Sequence, residues 1–522
     1  MKITFLPMNI EAQVTPGETI LQAATRAGVN IDGNCAGMGT CGKCKVKVEG
    51  KGYTLACETR ATDGMVITVP EAETTAARKK KMIILPPGFK ANIPEEDKGF
   101  ASNYGIALDI GTTTVVAILW NLLTSEMVSV TAVTNPQGAY GADVISRIAC
   151  VMEDEANLKK LQGAIIDSLN SSIDTFTKEN HINPEDIREV VVVGNTTMSH
   201  LFMGVDPSSL AVSPFLPVFT AVQEVKAAGL GININPDARV HVAENIAGHV
   251  GSDITAGIIT TDLMNKDKGH LFIDIGTNGE IVLTGNGKAV TCSTAAGPAF
   301  EGSSIAQGMR AARGAIERVD LSDEGVTIKT IGNIAPIGIC GSGIIDAVGE
   351  LIRVGVVDKS GRLLSKERLE KKGLAPALLD RVVDSDGSND FLLYQGKPGE
   401  EDVYITQKDV REVQLAKAAI SAGIRIMMNE IGLTDETLEK ISIAGAFGNY
   451  IRNESAMNVG LLPRISPEKV YSLGNSAGIG ASMILLSKDA KAAAARAVEE
   501  IEHIELATRS EFQDEYMKAM RF

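Results

Sequence analysis

A hydrophobic strand that ends in Asp-Ile-Gly-Thr and turns at once into a second hydrophobic strand occurs twice in this chain, and no other feature restricts its fold so strongly. The first copy is GIALDIGTTTVVAIL, with Asp109 at the strand end; the second is HLFIDIGTNGEIVL, with Asp274 about 165 residues later. One such element is weak, since any strand can end this way. Two, each opening a hairpin, imply two related halves. From Tyr104 onward the apolar runs GIALDI, VVAILW, REVVVVG, GHLFIDIG, EIVLTG and KISIAG alternate with stretches such as LKKLQGAIIDSLNSSIDTFTKE and VQLAKAAISAGIRIMMNEIG, whose apolar residues recur at helical spacing. An α/β body in two halves, 105–268 and 269–522, is expected.

Each strand end has the composition of a phosphate loop. In the first, Gly111 admits close backbone approach while Thr112 and Thr113 offer hydroxyl and N–H donors, which phosphates need in concentration. The second repeats the design with Gly276, Thr277 and Asn278. Asp109 is expected to hold a hydrated Mg²⁺, because this ion keeps most of its waters and takes few carboxylates. Asp274 is its counterpart in the other half, and Glu280 is placed to orient an attacking water. A third element, ISIAGAFGNYI, follows a predicted strand, and Gly445, Ala446 and Gly448 leave room for a flat adenine and its ribose. ATP is the nucleotide this set predicts.

The first 70 residues read differently. KITFLP, IEAQV, KCKVKVEG and MVITVP are short strand patterns around one helical stretch, TILQAATRAG, which suits a small β-grasp domain. Within it Cys35, Cys41, Cys44 and Cys57 are separated by five, two and twelve residues. Three ligands in one glycine-rich loop and a distant fourth is the arrangement of [2Fe-2S] ferredoxins, although the plant type has four residues in the first gap. A structural zinc site would show two CxxC pairs. Only Cys41 and Cys44 form one. Cys150, Cys292 and Cys340 read as small buried residues. The six histidines show no metal spacing and read as structural, with His200 the one weighed for a partner or cofactor contact.

Residues 71–104 are a linker by composition, with a charged EAETTAARKKK, a structure-breaking LPPG and one short ordered piece in KMIILP. Residues 1–104 carry two more basic than acidic side chains, so of the formal charge of −15 the remaining residues hold −17. An acidic body excludes nucleic acid as a partner, since that affinity rests on basic residues meeting phosphates. No stretch approaches the ~20 apolar residues that cross a bilayer. A cytoplasmic protein is expected, where clustered cysteines imply metal ligation rather than disulfides.

The paired phosphate loops and the glycine-rich strand end resemble the superfamily of acetate and sugar kinases, heat-shock protein 70 and actin, whose ribonuclease-H-like halves close over ATP. VVVVGNTTMSHLFMG and PIGICGSGIIDAVGELI look like its hinge-crossing helices, or are simply tightly packed. The order of the cysteine domain, linker, DIGTTT, VGNTTM, ENIAGHVGSDITAGI, DIGTNGE, STAAGPAFEG, ICGSGIIDA and AGAFGNYI is similar, over nearly the whole chain, to the reductive activators of corrinoid-dependent methyltransferases. That resemblance implies ATP-dependent reduction of a corrinoid protein from cobalt(II) to cobalt(I), with electrons from a low-potential donor that it does not identify. Two other readings stay open: a redox-sensing ATP-binding module, and an activator of another low-potential enzyme such as a 2-hydroxyacyl-CoA dehydratase. A homodimer is compatible with the sequence but not indicated by it.

Overall fold

The structure is a computed structural model that describes residues 1–29, 31, 44–69, 83–93, 102–385, 387–398, 400–445 and 450–522. The head is a five-stranded sheet of β1 (Lys2–Leu6), β2 (Ile10–Gln13), β3 (Lys45–Val48), β4 (Gly52–Leu55) and β5 (Val66–Thr68), in the order β2-β1-β5-β3-β4. β1 runs parallel to β5 and antiparallel to β2, the wiring of a β-grasp. The helix Ile20–Arg26 lies across it, started by a capping box between Thr19 and Gln22. Ile3, Phe5, Ile20, Val46 and Ile67 close a core of their own. β4 was not among the expected strands; GYTL is half-buried throughout and so lacks a clear alternation.

Two six-stranded sheets build the body. The first contains β6 (Tyr104–Ile110), β7 (Thr114–Asn121), β8 (Glu126–Thr134), β9 (Ile187–Gly194), β10 (Gln223–Lys226) and β11 (Arg239–Val242), ordered β10-β11-β9-β6-β7-β8. The second contains β12 (Gly269–Ile275), β13 (Gly279–Gly285) and β14 (Lys288–Thr294), joined by β21 (Leu438–Ala444), β22 (Val470–Gly474) and β23 (Glu502–His503), ordered β22-β21-β12-β13-β14-β23. In both, three antiparallel strands are followed by two parallel ones. The echo in the sequence is thus an echo in topology. It differs at the edges, where β10 is antiparallel and β23 parallel. The second half also carries two three-stranded sheets between β14 and β21: β15 (Ala315–Ser322), β16 (Gly325–Thr330) and β17 (Gly338–Ile339), then β18 (Val382–Ser385), β19 (Ser388–Tyr394) and β20 (Val403–Ile405).

Strand alternation sets which face each catalytic candidate occupies. Ile106, Leu108 and Ile110 pack under the long helix Ala156–Asn180, so Ala107 and Asp109 face the other way. Leu271, Ile273 and Ile275 likewise fill the core of the second half, leaving Phe272 and Asp274 on the opposite face. Helices from the end of the chain cover the Ala107 face of the first sheet. Ser476–Leu486 packs there with Trp120, whose indole N–H donates to Ser482 Oγ at 3.0 Å.

That same helix crosses Ser252–Ile259 closely. A Cβ on Gly480 would stand 2.0 Å from Ala256 O, so only glycine lets the backbones approach this closely. The two segments read as hinge-crossing or tightly packed helices are tightly packed within their own halves. Thr196–Met203 packs on Ala156–Asn180, and Gly341–Arg353 packs on β15 and the helix Asn453–Asn458.

Residues 83–93, read from composition as linker, are attached to the body. Ile83 and Ile93 are buried in the apolar layer of the C-terminal helices. Asn92 accepts the Lys488 N–H, donates its own to Leu486 O, and reaches Asp489 with its side chain.

Candidate functional site

The second hairpin brings two acids face to face before any tertiary contact is made. In the β12–β13 register Asp274 stands opposite Glu280, so both carboxylates project from one face as cross-strand neighbours. In the first hairpin Asp109 stands opposite Val116. Only the second half therefore carries the extra acid.

The fold then gathers Asp109, Asp274 and Glu280 around a fourth acid, Asp253, in the first turn of Ser252–Ile259. Burial pushes Asp109 up to about 7, helped by the charge of Asp253 and opposed by a hydrogen bond from Asn475. Burial pushes Asp274 up to about 8, with Asp253 and then Asp109 adding to it. Glu280 is raised well above the usual range by burial, Asp253 and Asp274. Asp253 itself rises to about 6 by burial, opposed by the Ile254 N–H. Asp253 is the neighbour common to all three others, and the sequence reading passed over it. Its signal was present in VGSDITAG, where an acid follows a helix-starting glycine and serine, but acids favour helix starts for ordinary reasons.

The loops around these acids are held by side chains far away in sequence. Gly111 N–H closes its turn on Thr114 O at 3.0 Å, and Gly276 N–H closes on Asn278 O at 2.9 Å. Asn195, which caps Thr196–Met203, donates to Thr112 Oγ1 at 3.0 Å. Thr113 O accepts the Asn135 N–H at 2.8 Å. Thr277 Oγ1 donates to Glu301 Oε1 at 2.6 Å, which ties the second loop to AGPAFEG. Gly445, just after β21, has φ +88°, and a Cβ there would lie 2.7 Å from Asp274 Oδ1. The third element thus touches the acid cluster through a position that only glycine can occupy. Ala446 and Gly448 lie outside the described residues.

In the head, β3 and β4 pair with Lys45 opposite Leu55, which draws the residue before one strand toward the residues after the other. Cys44 and Cys57 are buried with Sγ atoms 3.2 Å apart, and the Cys57 N–H points at Cys44 Sγ at 3.4 Å. They are not joined as a disulfide. Thiols this close, with an amide donor on sulfur, suit shared ligation of an iron-sulfur group. Cys35 and Cys41 lie outside the described residues.

Cys292 and Cys340 are buried and Cys150 is half-buried on the helix Val144–Glu153. His200 is structural: it is buried, its Nδ1 meets Thr196 O at 2.7 Å, its Nε2 accepts the Val218 N–H at 3.0 Å, and its ring stacks on Phe219. Among the described residues no helix is long and apolar enough to cross a membrane.

Three family models match in succession. Residues 2–71 match a 2Fe-2S iron-sulfur cluster binding domain, 104–266 the RACo middle region, and 268–522 the C-terminal domain of RACo, the ASKHA domain. The chain is 40% identical over 423 residues to the corrinoid activation enzyme RamQ of Eubacterium limosum, covering 80% of this chain and 70% of that protein. It is 26% identical over 461 residues to the [Co(II) methylated amine-specific corrinoid protein] reductase of Methanosarcina barkeri, covering 79% and 76%. Among solved structures, a reductive activator for corrinoid, iron-sulfur protein superposes with a TM-score of 0.70 at 32% identity, covering 100% of this chain and 98% of that one. With an iron-sulfur head, a middle region and an ASKHA domain in that order, and with a relative 40% identical over 80% of its length, the chain belongs to the RACo family of corrinoid-activating enzymes.

Proposed function

We propose that this protein reductively activates a corrinoid protein of a methyltransferase system, passing one electron from a [2Fe-2S] cluster to cobalt(II) and using ATP to make that transfer possible. The observation that carries the reading is the meeting of Asp109 and Asp274, from equivalent strand ends of two sheets, in one acidic cluster of a chain that also holds an iron-sulfur head. In this scheme residues 1–70 are the head, 71–104 the connection, of which 83–93 dock on the body, and 105–268 and 269–522 the halves of the ATPase. Thr112, Thr113, Thr277 and Asn278 hold phosphates, while Gly445, Ala446 and Gly448 line the adenosine.

The acids fit a magnesium ion. Among the described residues none of the four is paired with a cationic side chain, so they repel one another until protons or a cation intervene. Nor do three metal-binding side chains converge as a ready-made direct ligand set among the described residues. That suits an ion that keeps its waters and meets carboxylates through them. Asp109 and Asp274 would face those waters, and Glu280, which accepts from Ser293 Oγ at 3.4 Å, is placed to orient the attacking water. A bound [2Fe-2S] cluster supplies one-electron chemistry at low potential. Cys44 and Cys57, together with Cys35 and Cys41, would hold it.

An electron transfer uphill by on the order of 100 mV costs ~2.3 kcal/mol, at tenfold per 59 mV. ATP offsets this only by binding two states of the complex differently. The test mixes chemically reduced protein with a cobalt(II) corrinoid protein, with and without MgATP, and follows the cobalt(I) absorption band. Growth of the band only with MgATP supports the proposal; equal growth without nucleotide sinks its ATP dependence.

A further inference from the structure

The first phosphate loop is braced from behind by three side chains, and one of them is a buried cation. Asn135 Nδ2 donates to Gly111 O at 2.8 Å, Asn195 Nδ2 to Thr112 Oγ1 at 3.0 Å, and Arg147 Nη2 to Thr112 O at 2.5 Å. Arg147, on the helix Val144–Glu153, is 1% exposed. Its remaining donors reach Gly141 O at 3.0 Å, Gln137 Oε1 at 3.3 Å and Met198 Sδ at 3.2 Å. Every one of these acceptors is neutral. The acid that attracts it, Asp143, is occupied in capping the same helix through the Ser146 N–H at 2.7 Å. Burial lowers Arg147 only to about 10, so it is charged at neutral pH.

A buried guanidinium without a carboxylate is far more costly to hold than a neutral donor. Bracing alone does not call for it, because Asn135 and Asn195 brace the same loop as neutral amides. The second loop is built in the opposite sense, with Thr277 resting on the acid Glu301. The groups that grip the two loops are therefore unlike: a guanidinium on Gly111–Thr113 and a carboxyl group on Gly276–Asn278.

We infer that Arg147 is a positioning residue of the nucleotide site, fixing the loop Gly111–Thr113 through the Thr112 carbonyl and holding behind it a positive charge that favours ATP over ADP. This rests on the ATP reading above. ATP carries one more negative charge than ADP, and in a low-dielectric interior a fixed cation acts on that difference over several ångströms. Lysine keeps the charge but lacks the planar fork that reaches the Gly141 and Thr112 carbonyls together.

The experiment measures MgATP and MgADP binding to the full-length protein by calorimetry, with thermal unfolding as a check on folding. Arg147→Met is expected to weaken ATP by about tenfold to a hundredfold, the usual loss for a charged hydrogen bond. ADP weakens less, so the preference for ATP shrinks. Arg147→Lys is expected to weaken both nucleotides in parallel and to keep the preference. A folded Arg147→Met protein with the wild-type ratio of ATP to ADP affinity makes Arg147 a structural brace only and overturns the inference. Loss of the preference in Arg147→Lys overturns its charge part. If Arg147→Met does not fold, Arg147→Lys decides, and unchanged binding of both nucleotides overturns the positioning role. A wild-type protein that binds neither nucleotide defeats the ATP reading itself, a result distinct from any change confined to the variants.

Discussion

Asp253 raises each of the acids around it, and this has a measurable sign. Asp109, Asp253 and Asp274 stand at about 7, 6 and 8, above the free value of 3.8. Between those limits the native state binds more protons than the unfolded one, so stability is fully present near pH 4 and falls as pH rises toward 8. The melting temperature of the nucleotide-free protein should therefore drop from pH 5 to 8.5, and MgATP should flatten the drop by placing a cation among the acids. Asp253→Asn should make it shallower without any ligand, although burial keeps Asp109 and Asp274 raised; a slope equal to wild type would mean that the acids do not feel one another. Asp109→Ala and Asp274→Ala should abolish ATP hydrolysis while the visible spectrum of the cluster stays intact. In the head, Cys57→Ser should lower iron and sulfide content from two of each per chain, whereas Cys150→Ser, half-buried on a helix of the body, should not.

Among the elements, the crossing of Ser252–Ile259 with Ser476–Leu486 joins the acid Asp253 to the helix capped by Asn475, the partner of Asp109. Its closeness depends on Gly480, whose Cβ would stand 2.0 Å from Ala256 O. Gly480→Ala must push the helices apart and should cost ~1–3 kcal/mol, the usual range for overpacking a tight core. Urea denaturation measures this. Hydrolysis should fall with it, since the displaced helices carry two members of the site. A variant with wild-type stability would show that the crossing relaxes without strain.

For the molecule as a whole, the attachment of residues 83–93 changes the reach of the head. The stretch that joins Val69 to the docked Ile83 has 13 residues, which span at most about 45 Å when fully extended. One direct contact between head and body among the described residues, Lys45 Nζ to Glu401 Oε2 at 2.7 Å, is an exposed ion pair and adds little, ~0–1 kcal/mol. A fragment 83–522 should therefore fold, hydrolyse ATP and bind the corrinoid protein, yet form no cobalt(I) unless a reductant is supplied directly. A fragment 104–522 loses Ile83 and Ile93 from the layer over the C-terminal helices and should melt lower. Equal melting temperatures would show that residues 83–93 add no stability, and corrinoid-stimulated hydrolysis that requires the head would place the main docking surface there.

What the sequence by itself determined were the features that local spacing encodes. The hairpins after Asp109 and Asp274, the helices Ala156–Asn180 and Gln407–Ile431, and the cysteine spacing are legible because period, turn chemistry and ligand gaps each span a few residues. Glu280 was visible for the same reason, being one hairpin turn from Asp274. The small sheets β15–β17 and β18–β20 escaped although β15 has eight residues and β19 seven, because AIERVDLS and SNDFLLY do not alternate cleanly between buried and exposed positions. Only the tertiary structure decided that Asp253 joins the acids, that Asn475 bonds Asp109, that Arg147 braces the first loop, that Glu301 takes the Thr277 hydroxyl of the second, and that residues 83–93 belong to the body. Each of these depends on contacts between segments far apart in the chain. No local pattern marks such a residue, because an aspartate at a helix start, an arginine in a helix or an isoleucine in a loop has an ordinary local role, and only packing gives it another.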